Sequence, residues 1–205
     1  MPSPSELREI LRRDRGWSLY ALGDLAPGYF EHSEWHSSDG AVVLVYRAAT
    51  PPVLFAMGDP KTVARLAAKV ADPRVYLHVR PKAAEALAPQ YRGVGLKPMW
   101  RMLLDPARFR PEECRACTRL GAGDASALDR LYADGREAGE APDFFFPSML
   151  EDGVFFGVRK AGELVAAAGT HLAVPAEGVA AIGNVYTRRD HRGRGLAGAL
   201  TSAVT

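Results

Sequence analysis

Residues 184–197 read Asn-Val-Tyr-Thr-Arg-Arg-Asp-His-Arg-Gly-Arg-Gly-Leu-Ala, and this stretch decides what the chain can fold into. The residues before the first arginine close an apolar run, which predicts a strand from Gly178 to Thr187. A polar loop follows. Small and apolar residues from Leu196 onward then predict a helix. The pattern is therefore a strand, a basic loop that contains glycines, and the start of a helix.

This arrangement is typical of a site for phosphate groups. A helix N-terminus has unsatisfied backbone N–H groups and a partial positive charge, so it attracts anions. Gly193 and Gly195, followed by the small Ala197, let the backbone approach an anionic ligand closely. Four arginines and a histidine between Arg188 and Arg194 add positive potential. We expect a pyrophosphate group to lie on this loop.

Three other interpretations of the loop compete. Gly193, Gly195 and Gly198 match the dinucleotide pattern G-x-G-x-x-G, but that pattern needs an acidic residue about 20 positions further on, beyond Thr205. A basic patch for nucleic acid would spread its charges over a face with stacking aromatic residues, whereas these charges are concentrated in one loop. A surface turn rich in glycine and arginine is the third interpretation.

The loop resembles the signature of the GNAT superfamily of N-acetyltransferases, Arg/Gln-x-x-Gly-x-Gly/Ala, through Arg192, Gly195 and Ala197. The predicted order of elements from about Thr118 onward is also similar to that family: strand, helix, second helix, three-stranded meander and signature helix. The resemblance implies an α/β fold of tandem GNAT-like lobes, with a mixed, mostly antiparallel sheet flanked by helices.

Two lobes are predicted on either side of a charged linker that contains prolines: a degenerate GNAT-like lobe at 1–110 and an acetyl-CoA-binding GNAT lobe at 115–205. Residues 17–35 resemble the N-terminal part of a two-lobed bacterial GNAT group, and residues 75–98 resemble the last elements of the family fold. The second lobe is expected to end after the signature helix. On this interpretation the chain is truncated relative to the family, or is a fragment of a longer protein.

Local patterns predict several elements of the first lobe. The apolar run from Ala41 to Arg47 predicts a buried strand, and Val53 to Met57 predicts a second one. Asp59 followed by Pro60 predicts the start of a helix. We expect another strand at residues 100–104, and loops with short helical pieces over residues 17–35.

The resemblance implies acetyl-CoA as co-substrate. Backbone amides at the strand end would pair with the pantetheine arm, and those of the loop would hold the pyrophosphate. The predicted coenzyme-binding residues are Val185, Tyr186, Thr187, Arg192, Gly193, Arg194, Gly195, Leu196 and Ala197. A backbone N–H of the strand would polarise the thioester carbonyl, and the amine acceptor would attack directly.

The catalytic candidates are Asn184 and Tyr91. The predicted strand holds no acidic residue to act as a base; Asn184 can orient an acceptor, or can instead bond to a neighbouring strand end. Tyr91 has the spacing of the family's general-acid tyrosine, and its alternative role is packing between helix and sheet. His171 is a candidate base with a structural alternative.

Two further groups of residues have a functional and a structural interpretation. Phe144, Phe145 and Phe146, with Met149, either line an acceptor pocket or pack in the core. Cys114 and Cys117 form a C-x-x-C pattern, which suits half a zinc site or a redox pair. We favour a pair of reduced cysteines beside or within a strand, and we expect no metal site.

The bulk composition gives little reason to expect nucleic acid or membrane as a partner. The 205 residues carry a net charge of +2 and are 47% hydrophobic, and no apolar run suits a membrane span, so we expect a cytoplasmic protein. The expected function is acetyl transfer from acetyl-CoA to an amine, on a small molecule or a peptide. The alternative is a non-catalytic acyl-CoA-binding or regulatory module. The open edge of the strand at 178–187 would allow a homodimer to complete the sheet.

Overall fold

The computed structural model describes residues 2–93, 95–142 and 145–205. The chain divides into two compact units, Met1–Leu103 and Leu104–Thr205. Over the described residues each unit has a four-stranded sheet with helices packed on its faces, as expected for an α/β fold.

The first unit contains a mixed sheet. Its strands, in their order across the sheet, are β1 (Ser33–Ser38), β2 (Ala41–Tyr46), β3 (Val53–Met57) and β4 (Tyr76–His78). Its α-helices are α1 (Pro4–Leu11), α2 (Leu19–Gly23), α3 (Pro60–Ala67) and α4 (Pro81–Leu87). The first three strands are antiparallel, and β4 runs parallel to β3. Strand β2 is almost entirely apolar because α3 and α4 cover one face of the sheet, while α1 and α2 cover the other.

Most of the local predictions for this unit are confirmed. The two apolar runs form β2 and β3, and the Asp59 carboxylate accepts a hydrogen bond of 2.9 Å from the Thr62 N–H at the start of α3. Two predictions are wrong. Residues 33–35, predicted to lie in a loop, belong to β1, because hydrogen bonds to β2 stabilise a strand that their polar sequence does not indicate. Residues 100–104 form no strand, and the Trp100 side chain is 95% exposed.

The second unit contains an antiparallel sheet. Its strands, again in spatial order, are β5 (Cys117–Leu120), β6 (Phe155–Lys160), β7 (Glu163–Val174) and β8 (Val179–Thr187). Its α-helices are α5 (Ala125–Arg136), α6 (Met149–Asp152) and α7 (Leu196–Val204). Strands β6 and β7 form a hairpin, and Ala161 and Gly162 between them both have positive φ, which suits a two-residue turn.

The core of this unit lies on both faces of the sheet. Helices α5 and α6 cover one face, where Tyr132, Phe155 and Tyr186 are buried together. Helix α7 covers the other face through the fully buried Leu200. This packing stabilises α7 and fixes its position, because an isolated helix of nine residues is only marginally stable.

The structure joins Cys114 and Cys117 by a disulfide, so the prediction of a reduced pair is wrong. The Cys117 N–H donates to the Cys114 carbonyl at 3.2 Å, and this turn brings the two Cα atoms to 5.3 Å. That separation suits a disulfide. Among the described residues there is no group of three or more side chains suited to hold a metal ion. The helices in the described ranges include none with the length and apolar character needed to cross a membrane.

Candidate functional site

Strand β8 contains a β-bulge near its end. Two of its residues, Asn184 and Val185, oppose the single residue Ala168 of β7. Asn184 adopts a φ of +52°, which is uncommon for a residue other than glycine. The Tyr132 hydroxyl on α5 donates a buried hydrogen bond of 2.8 Å to the Asn184 carbonyl. Helix α5 therefore stabilises the bulge from behind.

The Asn184 side chain is buried, with only 6% of the residue exposed. Its amide Nδ2 lies 3.6 Å from the Met149 sulfur. Its Oδ1 atom is buried and has no hydrogen-bond partner among the described residues. A buried amide oxygen without a donor is costly, so this atom is suited to accept a hydrogen bond from a bound group.

The next residues of β8 face alternate sides. Val185 is partly exposed, whereas Tyr186 is buried and donates a hydrogen bond of 2.8 Å to an Asp134 carboxylate oxygen. Burial, and then the bond to Asp134, raise the pKa of Tyr186. A Cβ on Gly135 would lie 2.5 Å from the Tyr186 ring, so glycine is what lets α5 approach the strand. The end of β8 is thus fixed against the C-terminal turn of α5.

The basic loop runs from the end of β8 to the start of α7. Gly193 and Gly195 have φ values of +72° and +74°, a conformation that favours glycine. Apart from the adjacent residues, no atom of the described chain lies within 4 Å of the position that a Cβ would take at either residue, so the space above the loop is open. Gly195 is the N-cap of α7 and provides no side-chain cap for the N–H groups of the first turn.

Two arginines of the loop bind one carboxylate. The Glu140 carboxylate accepts a hydrogen bond of 2.6 Å from Arg192, and bonds of 3.0 and 3.2 Å from Arg189. These bonds lower the pKa of Glu140 to about 2. Arg192 also donates to the Thr187 carbonyl at 2.9 Å. Glu140 precedes these arginines by about fifty positions, so no local sequence signal reveals the contact.

The strand end, the loop and the first turn of α7 surround an open cleft of about 620 Å³. All nine residues predicted to bind the coenzyme line this cleft. Its described lining residues are Glu140, Val185, Tyr186, Thr187, His191, Arg192, Gly193, Arg194, Gly195, Leu196, Ala197 and Gly198. Two buried polar atoms here, Thr187 Oγ1 and His191 Nδ1, have no hydrogen-bond partner in the described part of the chain. The cleft thus combines open space, cationic side chains and unsatisfied polar atoms.

The other candidate residues lie elsewhere. Tyr91 is buried in the core of the first unit, between the sheet and helices α3 and α4, and does not line the cleft. His171 lies on β7 beside Gly183. Phe145 packs in the second core, with its ring 5.4 Å from that of Tyr132, while Phe146 is exposed. Phe144 lies outside the described residues.

The span from α5 to α7, residues 125–205, matches the model of the acetyltransferase (GNAT) family. The match includes the bulge, the loop with its two left-handed glycines, and α7. These residues form a GNAT acetyltransferase domain. The GNAT domain therefore contains all the described residues that line the cleft, and its signature loop is the wall that carries the positive charge.

Solved structures of GNAT proteins resemble parts or most of the chain. A GNAT-family structure from Novosphingobium aromaticivorans is 29% identical, with a TM-score of 0.38, over 46% of this chain and 40% of that one. A ribosomal-protein-alanine N-acetyltransferase from Brucella melitensis biovar Abortus is 31% identical, with a TM-score of 0.33, over 42% of this chain and 66% of that one. The chain thus spans less than two thirds of the length of either.

A third structure extends the likeness over nearly the whole chain. It is a GCN5-related N-acetyltransferase from Kribbella flavida, 18% identical, with a TM-score of 0.56, over 97% of this chain and 78% of that one. At this identity the likeness concerns the fold alone. No curated protein matches the chain.

Proposed function

We propose that the protein transfers an acetyl group from acetyl-CoA to an amine acceptor. The observation that carries the proposal is the pair of left-handed glycines at the start of α7, which face an open cleft beside the end of β8. A side chain at either glycine would strain the backbone, and the loop as it stands presents uncapped N–H groups. Such a loop suits the pyrophosphate of the coenzyme.

The pantetheine arm would pair with β8. This strand is at one edge of the sheet, so its outer N–H and C=O groups are available to a ligand. The two amide groups of pantetheine can bond to a free strand edge as an added strand does. A second copy of the chain would compete for the same edge, so the homodimer stays a separate prediction.

The bulge supplies the polarising group for the reaction. A β-bulge leaves one residue outside the ladder of hydrogen bonds, so that the N–H of this residue can donate a hydrogen bond to the thioester oxygen. The nitrogen lone pair of a neutral amine attacks the thioester carbon, and the C–S bond then breaks. The sulfur departs as the thiol of the coenzyme and takes up the proton that the amine loses. The product is an amide. The buried Asn184 Oδ1 would accept a hydrogen bond from the amine N–H and orient it.

One observation favours a non-catalytic coenzyme-binding module as the alternative. The lining residue best suited by charge to act as a base is Glu140, and its pKa of about 2 makes it a poor base at neutral pH. A module of this kind would bind acetyl-CoA without turnover.

Calorimetry and a turnover assay separate the two functions. We expect the intact chain to bind CoA and acetyl-CoA, and to release free thiol from acetyl-CoA when a suitable amine is present, as measured with a thiol reagent over a panel of amines and N-terminal peptides. Binding without thiol release from any amine would favour the module. Absence of binding would refute both functions.

A further inference from the structure

Glu140 is the one carboxylate among the described residues that line the cleft. Its carboxylate binds Arg192, a cation that lines the cleft, and also Arg189, which does not line it. An internal carboxylate thus binds one of the cations of a cleft that we assign to a pyrophosphate. This placement needs an explanation beyond the proposed reaction.

The backbone of Glu140 is held independently of the arginines. Its N–H donates to the Gly135 carbonyl at 3.0 Å, and the N–H of Gly139 donates to the Arg136 carbonyl at 3.0 Å. Gly139 has a φ of +65°, as expected for a glycine that ends a helix. The C-terminal turn of α5 therefore presents Glu140 to the cleft even when its carboxylate has no partner.

Arg192 is likewise held without Glu140. Its Nε donates to the Thr187 carbonyl at 2.9 Å, and its guanidinium lies 5.6 Å from the centre of the Tyr186 ring. Because these two contacts already orient the guanidinium, Glu140 is not needed to position it. The carboxylate neutralises the charge instead.

The contact is also exposed enough to be exchanged. The side chains of Glu140, Arg192 and Arg189 are 36%, 42% and 60% exposed, and exposed ion pairs are weak. A phosphate group in the cleft offers Arg192 a higher charge and bidentate hydrogen bonds. A phosphate can therefore displace the carboxylate, at a cost in affinity.

We propose that Glu140 is an internal competitor of the coenzyme. Its carboxylate holds Arg192 until a phosphate group displaces it, and thereby weakens coenzyme binding. The inference rests on the proposed function, since it concerns the same cleft. Under this inference Glu140 sets the affinity for the coenzyme and takes no part in catalysis.

The test compares Glu140→Gln with a matched control, Glu163→Gln. Glu163 pairs with Arg188 of the same loop at 3.0 Å, yet it does not line the cleft. Both changes remove one negative charge near the loop. We expect E140Q to bind CoA about threefold to tenfold more tightly than the wild type at low salt, because one like charge is removed beside the phosphates. E163Q should change the affinity less, and E140D should stay near the wild type.

The measurement is calorimetry with CoA at low and high salt, with pantetheine, which lacks phosphate, as the second ligand. The gain of E140Q should shrink as salt rises and should be absent for pantetheine. CoA affinity that falls in E140Q, or that changes no more than in E163Q, overturns the inference while leaving the proposed function intact. Failure of both wild type and E140Q to bind CoA refutes the proposed function, and the inference with it.

Discussion

Replacing Gly195 with alanine tests whether the conformation of the loop, and not its charge alone, holds the coenzyme. Gly195 has a φ of +74°, and among the described residues other than its neighbours no atom lies within 4 Å of the position of an added Cβ. The substitution therefore adds backbone strain without a clash. A left-handed conformation costs a residue other than glycine about 1–2 kcal/mol. The reduced freedom of the unfolded chain offsets about 0.4–1 kcal/mol of this.

The expected loss in the free energy of unfolding is thus about 1 kcal/mol. If the variant relieves the strain by shifting the start of α7, binding must restore the original conformation. CoA affinity would then fall by about fivefold to tenfold, since about 1.4 kcal/mol corresponds to a factor of ten. Denaturation with urea measures the first quantity, and calorimetry with CoA measures the second.

Gly123→Ala is the matched control for this experiment. An added Cβ on Gly123 would also have no atom of the described, non-adjacent residues within 4 Å, but the φ of Gly123 is not positive. We expect its stability to change by less than about 0.5 kcal/mol, as for other surface substitutions, and its CoA affinity to stay at the wild-type value. Equal effects of G195A and G123A on both quantities would refute the argument that the left-handed glycine shapes the site.

Two further predictions concern buried polar groups. Tyr132→Phe removes the donor to the Asn184 carbonyl, which leaves that buried oxygen unsatisfied at a cost of about 1–3 kcal/mol. Thermal melting should show a lower Tm for this variant than for the exposed control Tyr76→Phe. An equal Tm for the two variants would contradict the role of this bond. Burial raises the pKa of Asp24 to about 7 from 3.8, so the folded state binds the additional proton and its stability falls as pH rises between these values. Asp24→Asn should therefore be more stable than the wild type by about 2–4 kcal/mol at pH 8 and close to it at pH 4, and a difference independent of pH would show that charge is not the cause.

The sequence determined the features of the site that depend on neighbouring residues. The apolar run before Thr187 and the small residues after Gly195 indicate where the strand ends and where the helix begins. The glycine positions indicate backbone of unusual conformation, and the observed φ values agree. Such features follow from sterics and hydrogen bonding within a few residues, so a local pattern is enough to predict them.

Tertiary structure decided the features that join distant segments. The polar residues of β1 form a strand only because β2 lies beside them, and residues 100–104 remain irregular because no strand of the described chain pairs with them. The bond from Tyr132 to the bulge at Asn184 joins residues 52 positions apart. Sequence spacing placed Tyr91 among the catalytic candidates, whereas the structure buries it in the first core.

Glu140 shows this division most clearly. Its sequence context, directly after Gly139, gives no local signal of the residues that it contacts. Its contact with Arg189 and Arg192 arises because Gly135 lets the end of α5 pack against Tyr186, next to the loop. The sequence by itself determined that a basic loop with left-handed glycines leads into a helix, because these are local properties. Only the packing of α5 against β8 decided that the Glu140 carboxylate binds two arginines of this loop.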